Sequence, residues 1–413
     1  MISLIIPTYN RAGVARKHLR ALANQSLARS EWEVVCVNDG GSSVDIPPET
    51  ESYNFTYLEK DNAGPAAARN YGASHAKGEI VVFVGDDCFP NQHFLFYHWF
   101  AHRTMGGVGA VQGYTDWWPG LPPLEFEHFL YESGLQANWS GLKNPDGGWK
   151  REATGFCMTT NYSIHRTEYD RLYAEAKSET ERMGVFHESF PHAAWEDIDL
   201  GFRGQKHGLK TIFEPNAINF HAHRQTFDGF VKRQITEGKS RLILCLLHPE
   251  ISGQLLDPEG LRQTSRDGLQ RLVAQCRELE TITSGDAELD QLRKARWQNA
   301  LRVASLEGVR QGIEERGKTN KVWLAIPHIH SAEQAMHVVS VVASLEKNEF
   351  GYGMTAAEWG LKSNPTNWAL WAVKGEVELA MGRKSEAYAT FIRAMELGPG
   401  AVWVQDRVKE LAQ

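Results

Sequence analysis

Short apolar segments that alternate with helix-forming segments in the first part of the chain restrict its fold more than any other feature. Each apolar segment has about five residues, a length typical of strands, and continuous apolar character is typical of strands covered on both faces. Segment 65–76 has a helical composition and begins with proline, which helix N-termini favour. The pattern predicts a largely parallel sheet covered by helices. The predicted strands are 2–6, 33–37, 55–58 and 80–84.

Polar residues follow three of these predicted strands at the point where each strand ends. The carboxyl ends of parallel strands meet at one edge of a sheet, and ligands bind beyond that edge. We therefore expect these polar groups to face a single crevice. They are Thr8, Tyr9 and Asn10 after the first strand, Asn38 and Asp39 after the second, and Asp86 and Asp87 after the fourth.

The bulk composition limits the class of protein. A chain of 413 residues predicts two or three domains. The net charge of -7 disfavours a nucleic-acid partner, because phosphate binding usually requires a basic face. The five cysteines form no CxxC pair, which favours reduced thiols and a cytoplasmic protein, with peripheral attachment to the inner face of the membrane as a variant. We expect neither a signal peptide nor a transmembrane segment, since no apolar run approaches about 20 residues.

The later parts of the chain differ in character from the first. The middle mixes short strands with aromatic loops, and long charged helical segments follow from about Pro258. Between Trp368 and Pro399 the spacing of aromatic and small residues resembles a tetratricopeptide repeat. We predict three parts: a first domain at 1–257, a helical extension at 258–330, and tetratricopeptide-like helical hairpins at 331–413.

Five sequence blocks together resemble family 2 glycosyltransferases of the GT-A class. They are IIPTYNR at the first strand, VVCVNDGGS at 34–42, NAGPAAARN at 62–70, FVGDDCFP at 83–90 and WEDIDLGFR at 195–203. Each block is weak alone, but their order and spacing match those of the family over about residues 1–245. The resemblance implies a Rossmann-like α/β GT-A domain that uses a nucleotide-diphosphate sugar, here followed by an all-α C-terminal region.

The resemblance also implies a nucleotide site at the strand ends. A carboxylate at Asp39 can accept the imide N–H of uracil, so this residue favours a UDP-sugar donor, although it could instead only start the following turn. Arg69 is expected at the base or the phosphates, with a surface salt bridge as the alternative. Asp86 is expected at the ribose. The full set of expected nucleotide contacts is Pro7, Thr8, Tyr9, Arg11, Asp39, Gly64, Arg69 and Asp86.

The adjacent acids Asp86 and Asp87 suggest a divalent cation, because two neighbouring carboxylates repel each other unless a cation lies between them and the ligand. Mn²⁺ or Mg²⁺ fits oxygen ligands and phosphates. By resemblance Asp87 is the carboxylate ligand. A third acid is common in the family, but here Cys88 follows the pair. The second ligand is then expected from FHAH at 220–223, where the match favours His221 over His223.

The acidic pair Glu196 and Asp197 matches the acceptor side of the family. An inverting transfer needs a carboxylate that takes the proton from the acceptor, and by motif position this base is Asp197, with Glu196 as an orienting group. Both acids could instead only complement the dipole of a helix N-terminus. Trp195 is expected, with Gly155, near the donor sugar or the acceptor.

The resulting prediction is a metal-dependent, non-processive, inverting transferase of a hexosyl or N-acetylhexosaminyl group to a hydroxyl of a glycan or protein. Loops with Trp117, Trp118 and Trp149 could shape the acceptor groove or only pack the core. The C-terminal helices are expected to support homo-oligomers or protein docking. A nucleotidyltransferase, or a scaffold with an inactive transferase domain, is the alternative. The absence of GxGxxG and GxxxxGK[ST] motifs disfavours dinucleotide enzymes and P-loop kinases.

Overall fold

The computed structural model describes residues 1–104, 109–136, 139–179, 184–282 and 286–412. The chain divides into two compact units, Met1–Thr226 and Phe227–Gln413. The boundary between the units lies inside the predicted first domain at 1–257. The predicted division of the chain into 1–257, 258–330 and 331–413 stays a prediction.

The first unit is built on one mixed sheet. Its strands are Ile2–Thr8 (β1), Trp32–Asn38 (β2), Asn54–Glu59 (β3), Ile80–Val84 (β4), Cys88–Pro90 (β5), Ala110–Trp117 (β6), Asn161–His165 (β7) and Thr211–His221 (β8). Their order across the sheet is β3-β2-β1-β4-β7-β6-β8-β5. The first four strands are parallel, as the sequence predicts. The later part is mixed, because β7 runs antiparallel to β4 and β6, and β5 runs antiparallel to β8.

Helices cover both faces of this sheet. They are Ala12–Leu22 (α1), Pro65–His75 (α2), Phe94–Thr104 (α3), Glu125–Glu132 (α4), Arg166–Glu179 (α5) and Glu196–Lys206 (α6). Leu19 of α1 belongs to the same buried cluster as Leu4, whereas Ala68 of α2 packs in the cluster that contains Ile5. Neighbouring residues of β1 therefore point into opposite cores, because successive side chains of a strand alternate between faces. This confirms the predicted α/β class and the two-sided burial.

Among the residues that the structure describes in the second unit, all regular elements are helices, joined by loops. Its helices are Phe227–Leu247 (α7), Ser252–Leu255 (α8), Pro258–Gln263 (α9), Arg266–Glu280 (α10), Ala287–Gly317 (α11), Ala332–Lys347 (α12), Phe350–Ser363 (α13), Trp368–Ala380 (α14), Lys384–Leu397 (α15) and Val402–Leu411 (α16). The predicted all-α region is thus confirmed. The described residues also include five short 3-10 helices, at Arg29–Glu31, Pro48–Ser52, Trp139–Leu142, Pro249–Ile251 and Lys321–His328.

Glycines set two close helix contacts in the second unit. A Cβ atom on Gly308 of α11 would lie 1.9 Å from the carbonyl oxygen of Ile235 in α7, so the two backbones touch at this crossing. A Cβ atom on Gly375 of α14 would lie 3.0 Å from the ring of Phe391 in α15. The second contact joins two residues of the predicted tetratricopeptide pattern, whose repeat identity stays a prediction. Among the described residues, the structure has no helix with both the length and the apolar character needed to cross a membrane.

Candidate active site

The polar ends of β1, β2 and β4 meet at one edge of the sheet. The hydroxyl of Thr8 donates a hydrogen bond of 2.7 Å to Oδ2 of Asp86. The backbone N–H of Asp39 donates to the carbonyl of Thr8 at 2.9 Å. Pro7 is half-buried beside them in β1, and Tyr9 is 50% exposed just beyond the strand. The structure therefore brings together the strand ends that the sequence places in one crevice.

Arg11, at the N-cap of α1, bridges the two adjacent acids. One guanidinium nitrogen lies 3.0 Å from Oδ1 of Asp86, and the other lies 2.7 Å from Oδ2 of Asp87. Asp86 and Asp87 are largely buried, and two carboxylates cannot stay ionised side by side in such a place without a cation. In this structure the guanidinium supplies that positive charge.

The opposite side of Asp87 faces His221. Residues Cys88 and His221 are direct partners in the β5–β8 ladder, which brings the imidazole to the end of β4. Nε2 of His221 lies 3.6 Å from Oδ2 of Asp87, and the Cys88 thiol donates to Oδ1 of Asp87 at 3.6 Å. Ligand atoms of Asp87, Cys88 and His221 all lie within 4.8 Å of one another. This set of an oxygen, a nitrogen and a sulfur atom fits a divalent transition-metal ion.

The two acids differ in their proton affinity. Burial raises the pKa of Asp86 to about 6 against the opposing charge of Arg11, and the neighbouring charge of Asp87 adds to the rise. Burial acts on Asp87 in the same direction, but the charges of His221 and Arg11 outweigh it and lower the pKa of Asp87 to about 2. Asp87 is therefore the carboxylate that is ionised over the whole physiological range, as a metal ligand has to be.

Asp39 holds the loop that leads into α2. Its Oδ1 accepts hydrogen bonds from Nζ of Lys60 at 2.7 Å and the backbone N–H of Ala63 at 3.1 Å. Its Oδ2 accepts from the backbone N–H of Gly64 at 2.8 Å and from Nδ2 of Asn62 at 3.1 Å. Gly64 has φ of +91°, a conformation that favours glycine. These four bonds fill the lone pairs of the carboxylate, so a nucleobase N–H would have to replace one of the two side-chain donors.

Arg69 belongs to a buried salt bridge. Its guanidinium donates to Oε1 of Glu196 at 2.7 Å, and the two side chains are 7% and 3% exposed. The ring of Phe186 lies 5.4 Å below the guanidinium. The salt bridge joins α2, which follows the Asp39 loop, to the start of α6. The structure therefore places Arg69 beside the predicted acceptor acids and not at the surface.

Asp197 follows Glu196 at the first turn of α6. Its Oδ1 accepts the backbone N–H of Ile198 at 2.9 Å. Burial raises the pKa of Asp197 to about 7, the neighbouring carboxylate of Glu196 adds to the rise, and Arg69 opposes it. A carboxylate with such a pKa can accept a proton near neutral pH, which is the property that a general base needs.

The residue before these acids is conformationally strained. Trp195 has φ of +73°, in the left-handed region that bulky residues rarely adopt. Such a backbone conformation costs on the order of 1–3 kcal/mol and is found chiefly at functional sites. Trp195 is the N-cap of α6, and its carbonyl accepts the first hydrogen bond of the helix, from the N–H of Asp199 at 2.9 Å. The turn thereby sets the direction in which Glu196 and Asp197 project.

Gly155 lies in a loop that packs against α6 at Gln205, about two turns beyond Asp197. It has φ of +81°, and a Cβ atom there would lie 2.5 Å from Oε1 of Gln205. Gly155 and Gln205 line an open groove of about 920 Å³, together with Trp149. This groove is separate in the described structure from the Asp87 and His221 cluster, and none of its lining residues belongs to the acidic pairs.

A second, narrow cavity borders the predicted metal ligand His221, and sequence reasoning found only His221 and Trp117 of its lining residues. It has a volume of about 30 Å³. Its lining residues are Thr115, Asp116, Trp117, Tyr131, Gln136, Trp139, Met158, Thr160 and His221. His221 belongs to the predicted metal site, and Thr160 is next to Thr159, whose backbone bonds to Asp197. Asp116 is the acidic residue of this aromatic wall, and no sequence pattern pointed to it.

Sequence comparisons relate this chain to known glycosyltransferases. A family model described as Glycosyl transferase family 2 matches residues 3–108. Glycosyltransferase AglE of Haloferax volcanii is 34% identical over 258 residues, which cover 60% of this chain and 74% of the relative. A validoxylamine A glucosyltransferase of Streptomyces hygroscopicus subsp. jinggangensis is 26% identical over 56% of this chain and 58% of its own length.

One further relative matches over a smaller part of a longer protein. A poly(ribitol-phosphate) beta-glucosyltransferase of Bacillus spizizenii is 31% identical over 30% of this chain and 21% of its own length. Among solved structures, Staphylococcus aureus TarS aligns with a TM-score of 0.40 at 16% identity, over 76% of this chain and 55% of that one. The mannosyltransferase PcManGT of Pyrobaculum calidifontis in complex with GDP-Man and Mn²⁺ aligns with a TM-score of 0.40 at 17% identity, over 88% and 87% of the two chains.

Proposed function

Because this chain belongs to glycosyl transferase family 2 and is a glycosyltransferase, we propose that it transfers a sugar from a UDP-sugar to an acceptor hydroxyl with inversion of configuration and with a bound divalent cation. The observation that carries the proposal is the pairing of two acidic sites in one unit. One site joins Asp86 and Asp87 to His221 at the strand ends, and the other joins Glu196 and Asp197 to Arg69. A glycosyltransferase needs one site for its sugar donor and one for its acceptor, and we assign these two roles to the two acidic sites.

The donor half is assigned to the strand ends. Pro7, Thr8, Tyr9 and Gly64 form the rim of the nucleotide pocket, and Asp86 binds the ribose. Asp39 recognises the uracil imide by exchanging Lys60 or Asn62 for the base, since the two backbone donors hold the loop. The predicted role of Arg69 at the nucleotide is replaced in this proposal by a positioning role at Glu196.

A divalent cation held by Asp87 and His221 would neutralise the charge of the departing diphosphate as a Lewis acid. The ion is proposed to be Mn²⁺ or Mg²⁺, and the imidazole of His221 favours Mn²⁺ over Mg²⁺. His221 is preferred to His223 because its Nε2 lies 3.6 Å from Oδ2 of Asp87, and its charge lowers the pKa of Asp87 more than that of His223 does.

The transfer step is assigned to Asp197. Its carboxylate removes the proton from the acceptor hydroxyl while the hydroxyl oxygen bonds to the anomeric carbon. The bond between that carbon and the diphosphate oxygen breaks, and its electron pair leaves with the nucleotide. Attack on the face opposite the leaving group inverts the anomeric configuration. Glu196, held by Arg69, orients the acceptor, and the strained turn at Trp195 presents both acids.

The acceptor is proposed to be a glycan or a protein side chain. At about 30 Å³ the cavity lined by Trp117 and Asp116 is too small for a sugar ring, so only the aromatic wall around it is proposed to face the acceptor. Gly155 and Trp149 would contact more distant acceptor units through the open groove. The helices of the second unit are proposed to dock a protein or a second copy of the chain.

Calorimetric titration with UDP and Mn²⁺ tests the proposal. We expect micromolar UDP binding that requires Mn²⁺ and is lost in Asp87→Ala. The matched control is Asp45→Ala, which removes an acid that is 85% exposed. UDP binding that is equal in both variants would contradict the assignment of Asp87. The configuration of the product, read by NMR, separately tests inversion.

A further inference from the structure

The guanidinium of Arg11 contacts the same carboxylate oxygen of Asp87 that the proposed metal ion would use. Its NH2 nitrogen lies 2.7 Å from Oδ2 of Asp87, and Nε2 of His221 lies 3.6 Å from the same oxygen. A cation shared by Asp87 and His221 would have to contact this oxygen. Arg11 and the metal ion would therefore share one ligand oxygen.

The exposure of the side chains shows which of them can move. The Arg11 side chain is 36% exposed, whereas those of Asp86, Asp87 and His221 are 6%, 13% and 12% exposed. The acids and the imidazole are fixed in the sheet edge by β4, β5 and β8. Arg11 lies on the solvent side of them, at the N-cap of α1 with no side-chain cap bond. The guanidinium can thus swing outward without disturbing the core.

Two like charges cannot share this site. A divalent ion at Asp87 and a guanidinium at hydrogen-bond distance from the same carboxylate would repel each other strongly in a buried setting. Without a metal ion, however, the two acids need the guanidinium, because Asp86 and Asp87 would otherwise repel each other. The same side chain is favourable in one state and unfavourable in the other.

We propose that Arg11 is an exchangeable cation, which neutralises Asp86 and Asp87 when no metal ion is bound and moves to the diphosphate of the donor when the metal ion enters. The inference rests on the proposed metal site at Asp87 and His221. It adds that Arg11 competes with the metal ion and cooperates with the nucleotide. The phosphates offer the displaced guanidinium a planar, bidentate anionic partner in place of the carboxylates.

The exchange predicts a distinctive pair of effects. Arg11→Met keeps the length and apolar packing of the side chain but removes its charge, so Mn²⁺ alone should bind more tightly. Coupling between sites typically corresponds to 5-fold to 150-fold in affinity, and we expect about tenfold tighter Mn²⁺ binding. UDP binding in the presence of Mn²⁺ should weaken by a similar factor. A residue that only bound the nucleotide would not change the affinity for Mn²⁺ alone.

The experiment is a titration of the full chain with Mn²⁺ in the absence of nucleotide, followed by the paramagnetic resonance signal of free Mn²⁺. The variants are Arg11→Met and the control Arg16→Met, which removes a cation of the same helix that pairs with the exposed Asp45. The control should bind Mn²⁺ like the unmodified chain. Circular dichroism checks folding. If Arg11→Met does not fold, Arg11→Gln takes its place, since glutamine also removes the charge, keeps N–H donors for the acids and should also tighten Mn²⁺ binding.

Unchanged or weaker Mn²⁺ binding in the folded Arg11 variant would overturn the exchange while leaving the metal site in place. Absence of Mn²⁺ binding in both the unmodified chain and the variant would overturn the metal site itself, and the exchange with it. Tighter binding in Arg16→Met as well would show a general charge effect and would also refute the exchange.

Discussion

Replacing Arg69 with methionine is expected to lower the free energy of unfolding by about 3–5 kcal/mol, because it leaves the carboxylate of Glu196 buried without a cation. The two side chains are 7% and 3% exposed, and their charged atoms are 2.7 Å apart. With an effective dielectric constant of about 20, the attraction at this distance is about 6 kcal/mol, which the desolvation of both ions largely offsets. Oε2, the second oxygen of the Glu196 carboxylate, has no hydrogen-bond partner in the described structure.

A double-mutant cycle separates the pair from its surroundings. Glu196→Gln in the Arg69→Met background removes the stranded charge, so the double variant should recover about 2–3 kcal/mol relative to additive losses. Methionine keeps apolar contact with Phe186, which limits the loss of packing. The control is Arg103→Met, whose partner Glu79 is 61% exposed; its cost should stay below about 1 kcal/mol.

Urea unfolding of the full chain measures these differences, with as many transitions fitted as the two units show. If Arg69→Met costs no more than Arg103→Met, the buried salt bridge does not stabilise the fold, and the reasoning is refuted. Additive losses in the double variant would show that the two side chains act independently.

Three further results are expected. Burial and the charge of Glu196 raise the pKa of Asp197, Arg69 opposes the rise, and the buried thiol of Cys157 lies nearby. The activity should therefore fall as the pH drops through about 7, because Asp197 then becomes protonated. A kcat/KM profile against pH will show this inflection, and Arg69→Met should move it to higher pH. His221→Ala should weaken Mn²⁺ binding at least about tenfold, the usual minimum for loss of groups that support a metal site, whereas an equal loss in His223→Ala would contradict the choice of ligand. Gly308→Ala should destabilise the chain by about 1–3 kcal/mol, because the added methyl group meets the backbone of α7, while the control Gly351→Ala, with open space around it, should not; equal melting temperatures would refute the close crossing.

The strands of the first unit and the crevice at their ends follow from local patterns. Runs such as 2–6 and 80–84 are apolar throughout, and their polar ends meet because parallel strands share an edge. The approach of His221 to Asp87 is different in kind. It depends on the ladder of β5 and β8, which pairs distant segments, and the sequence supported it only through the family resemblance.

Partners of buried charged groups were the hardest to predict. Arg69 and Glu196 are 127 positions apart, and no periodicity relates them, so the sequence offered only a nucleotide contact, which the family resemblance favoured, or a surface salt bridge. The same holds for the four donors around Asp39, which come from one loop whose turn only the structure defines. The cavity at Asp116 arises where β6 meets a distant loop, and composition gives no sign of it.

Consumption of nucleotide sugars tests the central claim most directly. The full chain is incubated with Mn²⁺ and a panel of UDP-, GDP- and TDP-sugars, and release of the nucleoside diphosphate is followed. We predict that a UDP-sugar is consumed, and that Asp197→Asn still binds UDP but turns over about 100-fold to 10,000-fold more slowly, the usual contribution of a general base. Consumption of no donor, or of a UDP-sugar at the same rate by Asp197→Asn, would contradict the account.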